Sequence, residues 1–231
     1  MSQEQWTAVD DYFTRLIVDS DALLEAVLQE SAAAGLPPIS VTPSQGKLLS
    51  LLARAIGARH ILEIGTLAGY STIWLARSIP DGGRVVTLEV NPEHAALARA
   101  NIARADLTDR VDVRVGPALE TLPRLAGESP PPFDFAFIDA DRVNVTEYFS
   151  WALKLSRPGS LIVVDNVVRK GAVVDAASED PNIIGVRRFA EHLRAQKGVT
   201  ATAVQTVGAK GYDGFAVVLV TGGDQNSPRQ S

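Results

Sequence analysis

The stretch RHILEIGTLAGYST, residues 59–72, decides the fold. It begins as a short apolar run, which is typical of a buried strand, and breaks into the glycine-containing turn GTLAG before a segment of helical composition. A strand, a glycine turn and a helix in this order are typical of α/β domains that bind a nucleotide-like ligand beside the turn. The stretch therefore predicts a parallel sheet with a ligand at the carboxyl end of this strand.

The chain continues with the same alternation of short apolar runs and helical segments. The five strand-sized runs are HILEIG, RVVTLEV, VDVRVG, FDFAFIDA and SLIVVDN. Strict alternation implies right-handed crossovers and a parallel sheet covered by helices on both faces. After a further helix, TATAVQTV and GFAVVLV are joined by the turn GAKGYDG, which leaves no room for a crossover helix and makes this pair antiparallel. We expect an α/β fold with a Rossmann-like, mostly parallel sheet and an antiparallel C-terminal strand.

Helical patterns precede the opening strand. Apolar residues recur at helical spacing from Val9 to Val27, and Thr42 can cap a second helix that has Pro43 at its first position and Gln45 reaching back as in a capping box. We expect one domain over residues 1–220, with N-terminal helices over 1–57 and an α/β core over 58–220. A flexible tail over 221–231 is expected to follow.

Composition restricts the class of protein. The 231 residues carry a net charge of −5 and include no cysteine, so that neither a disulfide framework nor a thiolate metal site is available. These features favour a cytoplasmic protein, and no apolar stretch reaches the roughly 20 residues that a membrane span needs. The acidic balance argues against a nucleic-acid partner, because phosphate binding relies on clustered Lys and Arg.

The glycine turn limits the choice of cofactor. A dinucleotide turn would need glycines where this chain has Leu67 and Tyr70, and no Walker lysine follows. Glu89 ends the second strand at close to the spacing of about 20 residues expected for a ribose-binding carboxylate. An adenosine cofactor without phosphates fits both observations, which indicates S-adenosylmethionine (SAM).

The amino-acid end of SAM has candidate partners in the same stretch. It can use the backbone at Gly65 and Thr66 and the hydroxyl of Ser71, while Glu63 can attract its ammonium group directly or through water. The alternative is that Glu63 and Glu89 are solvated carboxylates at strand ends.

Polar side chains also follow the next two strands. Asp139 and Asp141 end one run, and Asp165 and Asn166 end the other. Carboxylate and amide oxygens without His or Cys suit Mg²⁺, Mn²⁺ or Ca²⁺ better than Zn²⁺, and we expect Mg²⁺. The alternative is that these aspartates are solvated or cap the following helices.

At this point the chain resembles the cation-dependent O-methyltransferases, the group that contains catechol and caffeoyl-CoA O-methyltransferases and many small bacterial relatives. The resemblance covers about residues 36 to 220 and rests on ISVTPSQGKLL, ILEIGTLAGYST, VVTLEVNPEHAALAR, VGPALETLP, FDFAFIDADR, RPGSLIVVDNVVRKG and GYDGFAVVLV. It implies a seven-stranded SAM-methyltransferase fold, a homodimer, and methyl transfer to one hydroxyl of a vicinal aromatic diol.

The resemblance also assigns roles to individual positions. It implies that the metal ligands are Asp139, Asp165 and Asn166. It implies that the cofactor contacts are Val41, Glu63, Gly65, Thr66, Ser71, Glu89, Ala118 and Asp139.

Two positions depart from the family pattern. Arg142 stands where relatives carry the lysine assigned as the base, and arginine stays protonated in proteins. Our hypothesis is that Asp139 and Arg142 are the catalytic residues and that the metal supplies most of the acidification of the phenol. Arg142 would stabilise the phenolate, and the phenolic proton would leave to water. Lys170 is the alternative acceptor of that proton. Arg169 stands where relatives often carry Trp beside the substrate.

Three other functions compete with methylation of a small diol. The first is methylation of a hydroxylated nucleoside in RNA, and the second is SAM binding with little turnover because Arg142 has replaced the base. An oxidoreductase is the third, and Leu67 argues against it. The aromatic residue we expect near the rim of the site is Tyr212, whereas Tyr148 fits a helical core pattern.

Overall fold

The computed structural model describes residues 2–18 and 21–222. Its α-helices are α1 Gln3–Phe13, α2 Ala22–Ala33, α3 Pro43–Ala55, α4 Tyr70–Ser78, α5 Pro92–Arg104, α6 Ala118–Gly127, α7 Val145–Lys154 and α8 Pro181–Ala195. Its strands are β1 His60–Ile64, β2 Arg84–Glu89, β3 Val111–Val115, β4 Phe133–Ile138, β5 Ser156–Asp165, β6 Val199–Gly208 and β7 Gly211–Val220.

The strands form a single seven-stranded sheet in the order β3-β2-β1-β4-β5-β7-β6. The pairs among β1 to β5 are parallel, and β7 runs antiparallel to both β5 and β6. The predicted fold class is thus confirmed. Because the order reverses between β1 and β4, the carboxyl ends of these strands open a crevice at the centre of the sheet.

Two apolar clusters cover the two faces of the sheet. Side chains of β1 alternate between them, with Ile61 facing the cluster under α3, α4 and α5 and Leu62 facing the cluster under α6, α7 and α8. Both residues are fully buried. None of the helices formed by residues 2–18 and 21–222 has the length and apolarity needed to cross a membrane.

The N-terminal helical pattern is divided in the structure. Helix α1 ends at Phe13 and continues as a π-helical turn over Thr14–Val18, and α2 begins at Ala22. Asp21 caps this new start, since its carboxylate accepts the amides of Leu23 and Leu24 at 3.0 and 3.1 Å. The helical spacing of apolar residues from Val9 to Val27 gave no indication that a new helix begins here.

The C-terminal hairpin is tighter than predicted. Gly208 pairs with Gly211, so the turn consists of Ala209 and Lys210, and residues 211–214 belong to β7 rather than to the loop. The predicted tail over 221–231 lies outside the described residues except for its first two positions.

Candidate active site

A cavity of about 670 Å³ opens at the carboxyl ends of β1, β2 and β4. The predicted site residues that line it are Val41, Gly65, Thr66, Ser71, Glu89, Ala118, Asp139, Arg142 and Asn166. Glu63 and Asp165 do not line the cavity but are buried beside it, with relative exposures of 0% and 6%. The structure thus brings most of the predicted cofactor contacts and the predicted cation ligands to one place.

The glycine turn after β1 has a conformation that its residues explain. Gly65 has φ +103°, and a Cβ on it would collide with the backbone carbonyl of Asp139 at the end of β4. Leu67 also has a positive φ, +51°. The carboxylate of Glu89 accepts the amides of Thr66 and Leu67 at 3.2 and 2.8 Å, so it fixes the turn against the end of β2. The shape of this side of the cavity therefore depends on Gly65 and Glu89 together.

Glu63 belongs to a buried hydroxyl network. Its carboxylate accepts hydrogen bonds from Ser71 at 2.6 Å, from Thr87 at 2.7 Å and from Thr72. Burial raises the pKa of Glu63 to about 7 despite these hydrogen bonds. The alternative of a solvated carboxylate is therefore wrong for Glu63. Ser71, which donates to Glu63, lines the cavity, whereas Glu63 does not.

We expect the Glu63→Gln substitution to change how stability depends on pH. The folded pKa of about 7 lies above the 4.5 of an unperturbed glutamate, so the wild type loses stability as pH rises through this window, by up to about 3 kcal/mol. The glutamine side chain of the variant does not titrate. In thermal unfolding of the ligand-free protein, the melting temperature of the variant minus that of the wild type should increase by several degrees between pH 5 and pH 8. A constant difference would contradict this assignment.

Arg142 connects the ends of β4 and β5. Its guanidinium is buried, and one nitrogen, Nη2, donates both to Oδ1 of Asp139, at 2.8 Å, and to Oδ1 of Asn166. The other terminal nitrogen, Nη1, donates to the carbonyl of Ala140. The oxygens of Asp139 and Asn166 thus converge on a single cationic group. Asn166 itself has φ +58°, a left-handed conformation that asparagine tolerates better than most residues.

Asp165 completes this group of side chains from the end of β5. Its carboxylate accepts the amide of Asn166 at 2.9 Å and the side-chain amide of Gln45 at 2.8 Å. Burial and the charge of Asp139 raise the pKa of Asp165 above its usual range, and the charge of Arg142 opposes this. We call Asp139, Asp165 and Asn166 the acidic cluster.

Gln45 has a different role from the one predicted. Its backbone amide donates to the Thr42 hydroxyl at 3.2 Å, which confirms the cap, but its side chain contacts Asp165 instead of reaching back to Thr42. No local pattern could have indicated this contact, because the two residues are 120 positions apart.

Asp141 is not part of the acidic cluster. Its carboxylate accepts the backbone and side-chain amides of Asn144 at 3.0 and 2.9 Å and the hydroxyl of Tyr148. It therefore stabilises the start of α7, as a helix-capping aspartate does. Tyr148 is buried as predicted, and it also lines the cavity.

The remaining candidate residues divide between two surfaces. Arg169 lines the cavity and lies 3.8 Å from Asp213, whereas Lys170 does not line it. Tyr212 was expected at the rim, but it lines a separate groove between α8 and β6.

Sequence reasoning missed His94, which lines the cavity with its ring 3.7 Å from the Glu89 carboxylate. Its position in the first turn of α5, just after β2, was the available signal.

The acidic cluster fits a divalent cation by the chemistry of its donors. Within residues 2–18 and 21–222 there is no group of three or more His, Cys, Asp or Glu side chains that could hold a metal ion. The cluster supplies two carboxylates and one amide oxygen instead, which is a set of hard ligands. The contact of one Arg142 nitrogen with both Asp139 and Asn166 indicates that a cation between them can touch both oxygens.

Known proteins resemble this chain over nearly all of its length. A sequence profile described as O-methyltransferase matches residues 15–218. The catechol O-methyltransferase of Niastella koreensis is 52% identical over 220 residues, which cover 95% of this chain and 100% of that protein.

Two solved structures share the fold closely. The O-methyltransferase from Bacillus cereus in complex with SAH has a TM-score of 0.94 at 57% identity, covering 95% of this chain and 100% of that one. The O-methyltransferase TomG from Streptomyces achromogenes, involved in tomaymycin synthesis and solved in complex with SAM, has a TM-score of 0.93 at 51% identity, covering 96% and 100%. The chain therefore belongs to the O-methyltransferase family.

Proposed function

We propose that this O-methyltransferase transfers the methyl group of SAM to one hydroxyl of a vicinal aromatic diol and that a divalent cation held by the acidic cluster is required. The main support is one observation: the oxygens of Asp139 and Asn166 converge on a single cationic nitrogen in the same cavity that the glycine turn lines. The catechol O-methyltransferase of N. koreensis, which is similar over the whole of its length, supports the class of acceptor.

The cavity offers SAM the contacts expected for an adenosine cofactor without phosphates. Leu67 and Tyr70 line it where a dinucleotide would need glycines, and Glu89 faces it from the end of β2. Val41 and Ala118 add apolar side chains to its lining. SAH and SAM are the ligands of the two similar solved structures, which supports this choice of methyl donor.

The residues of this chain orient and stabilise the reacting groups. A phenol with a pKa near 10 is a poor nucleophile at neutral pH, and the bound cation would supply acidification of the diol. Arg142 stays protonated, so it stabilises the phenolate rather than removing the proton, which leaves to water. The sulfonium loses its charge during transfer, so orientation of the oxygen towards the methyl group contributes much of the rate.

The test is methyl transfer from labelled SAM to a panel of catechols, flavonoids and hydroxycinnamates. We expect product with Mg²⁺ or Mn²⁺ and loss of at least 90% of turnover in excess chelator, restored by adding the cation back. Full activity in chelator would contradict the cation requirement. Product with total RNA instead of diols would identify a nucleoside methyltransferase, and SAM binding by calorimetry without any product would identify a binding protein.

Three further predictions go with this function. The absence of cysteine remains the basis for expecting a cytoplasmic enzyme. The family resemblance remains the basis for expecting a homodimer, which sedimentation of the purified protein would test. Among the cations, we expect Mg²⁺ in the cell, with Mn²⁺ or Ca²⁺ as the alternatives.

A further inference from the structure

The Arg142 guanidinium lies between two members of the acidic cluster. Its Nη2 contacts Oδ1 of Asp139 and Oδ1 of Asn166, and the charge of Arg142 also reaches the carboxyl of Asp165. The guanidinium is therefore within electrostatic reach of all three members of the cluster. The side chain of Arg142 is only 10% exposed, so its charge is poorly screened by water.

A guanidinium and a divalent cation that approach these oxygens from the same side compete for the same lone pairs. Each oxygen that donates a lone pair to a metal at the usual 2.0–2.6 Å has little room for a hydrogen bond along the same direction. Two positive groups a few ångströms apart also repel each other strongly where water is excluded. Binding of a cation therefore requires that Arg142 move away.

The backbone at Arg142 is fixed, so the side chain has to make this movement. Gly185 of α8 lies against the carbonyl of Arg142, and a Cβ at position 185 would collide with that carbonyl. The side chain is held through its two terminal nitrogens alone, because its buried Nε has no hydrogen-bond partner. A rotation about the side-chain bonds can release the guanidinium into the cavity that it lines.

We infer that Arg142 is a built-in competitor of the divalent cation: the guanidinium neutralises the acidic cluster until a cation displaces it. This inference rests on the proposed function, because it assumes that the cluster is the cation site. It identifies Arg142 as a residue that sets cation affinity, in addition to its role towards the phenolate. The planar guanidinium of Arg142 suits this role, because it contacts Asp139, Asn166 and the Ala140 carbonyl at once. The ammonium of a lysine cannot make these contacts with the same geometry.

The experiment measures binding of Mn²⁺ to the full chain by calorimetry and by the electron paramagnetic resonance signal of free Mn²⁺. We expect Arg142→Met to bind Mn²⁺ at least tenfold more tightly than the wild type, and Arg142→Lys to bind it at least threefold more tightly. Arg169→Met is the matched control. Arg169 also lines the cavity, but its positive charge is paired with Asp213 rather than with the acidic cluster. The Mn²⁺ affinity of Arg169→Met should therefore stay within threefold of that of the wild type.

Added guanidinium chloride gives a second readout that does not depend on turnover. At millimolar, non-denaturing concentrations, free guanidinium should weaken Mn²⁺ binding to Arg142→Met more than binding to the wild type. The reason is that it replaces the guanidinium group that the variant lacks. Equal Mn²⁺ affinity in the wild type and in folded Arg142→Met would overturn the inference. If Arg142→Met does not fold, wild-type affinity in Arg142→Lys would overturn it.

The outcomes separate this inference from the proposed function. Tighter Mn²⁺ binding by Arg142→Met, together with a wild type that methylates no diol, would support the competition and refute the proposed function. Cation-dependent methylation with the same Mn²⁺ affinity in all variants would support the function and refute the competition.

Discussion

The Gly65→Ala substitution should lower the free energy of unfolding by about 2–4 kcal/mol. An alanine at φ +103° is strained by about 1 kcal/mol, and its methyl group would also collide with the carbonyl of Asp139, which adds an overpacking cost of about 1–3 kcal/mol. For a chain of this size we expect the melting temperature to fall by roughly 10 °C. Because the same collision pushes β1 away from β4, SAM binding measured by calorimetry should be lost as well.

Gly57→Ala is the matched control for this prediction. Gly57 also has a positive φ, +64°, but a Cβ there would meet no atom within 4 Å. It should therefore show the backbone strain alone, a decrease of about 1 kcal/mol, with SAM binding unchanged. Equal destabilisation by the two substitutions would show that the Asp139 carbonyl is not the obstacle.

The second large effect is expected from Asp139→Asn, which should lower kcat/KM for a diol acceptor by about 100- to 1000-fold. The substitution removes one of the two carboxylates of the acidic cluster, and stabilisation by a bound cation is worth several kcal/mol, with 1.36 kcal/mol for each factor of ten. It also removes the carboxylate partner of Arg142, 2.8 Å away. Steady-state rates over a range of Mg²⁺ concentrations would measure the loss.

Asp141→Asn provides the comparison within the same segment. Asp141 lines the cavity too, but its carboxylate contacts Asn144 and Tyr148 at the start of α7. We expect less than a tenfold decrease in kcat/KM and a small loss of stability. A loss as large as that of Asp139→Asn would mean that the cation ligands had been assigned to the wrong carboxylate.

Local sequence patterns were sufficient for the architecture. Alternating strands and helices fix a parallel sheet, and parallel strands place their carboxyl ends on one edge, so Gly65, Glu89, Asp139 and Asn166 had to lie near one another. Helix caps such as Thr42 could also be identified, because the side chain and the amide that it accepts are three residues apart.

Contacts between distant segments could not be predicted in the same way. The bond from Gln45 to Asp165 joins α3 to β5, and the position of Arg142 depends on its contact with Asn166 across two strands. Asp139 and Asp141 both lie beyond β4, which ends at Ile138, and in this irregular segment the first carboxylate contacts Arg142 whereas the second contacts Asn144 and Tyr148. Spacing along the chain indicated the right group of residues but not which of them share a ligand.

In the proposed reaction, the amide at position 166 would also set the net charge of the acidic cluster. Two ionised carboxylates offset the charge of a divalent ion, so the occupied cluster would be electroneutral. An incoming phenolate would then be attracted by the ion without net repulsion from its ligands. A third carboxylate would leave an excess negative charge facing the acceptor, which the neutral amide of Asn166 avoids.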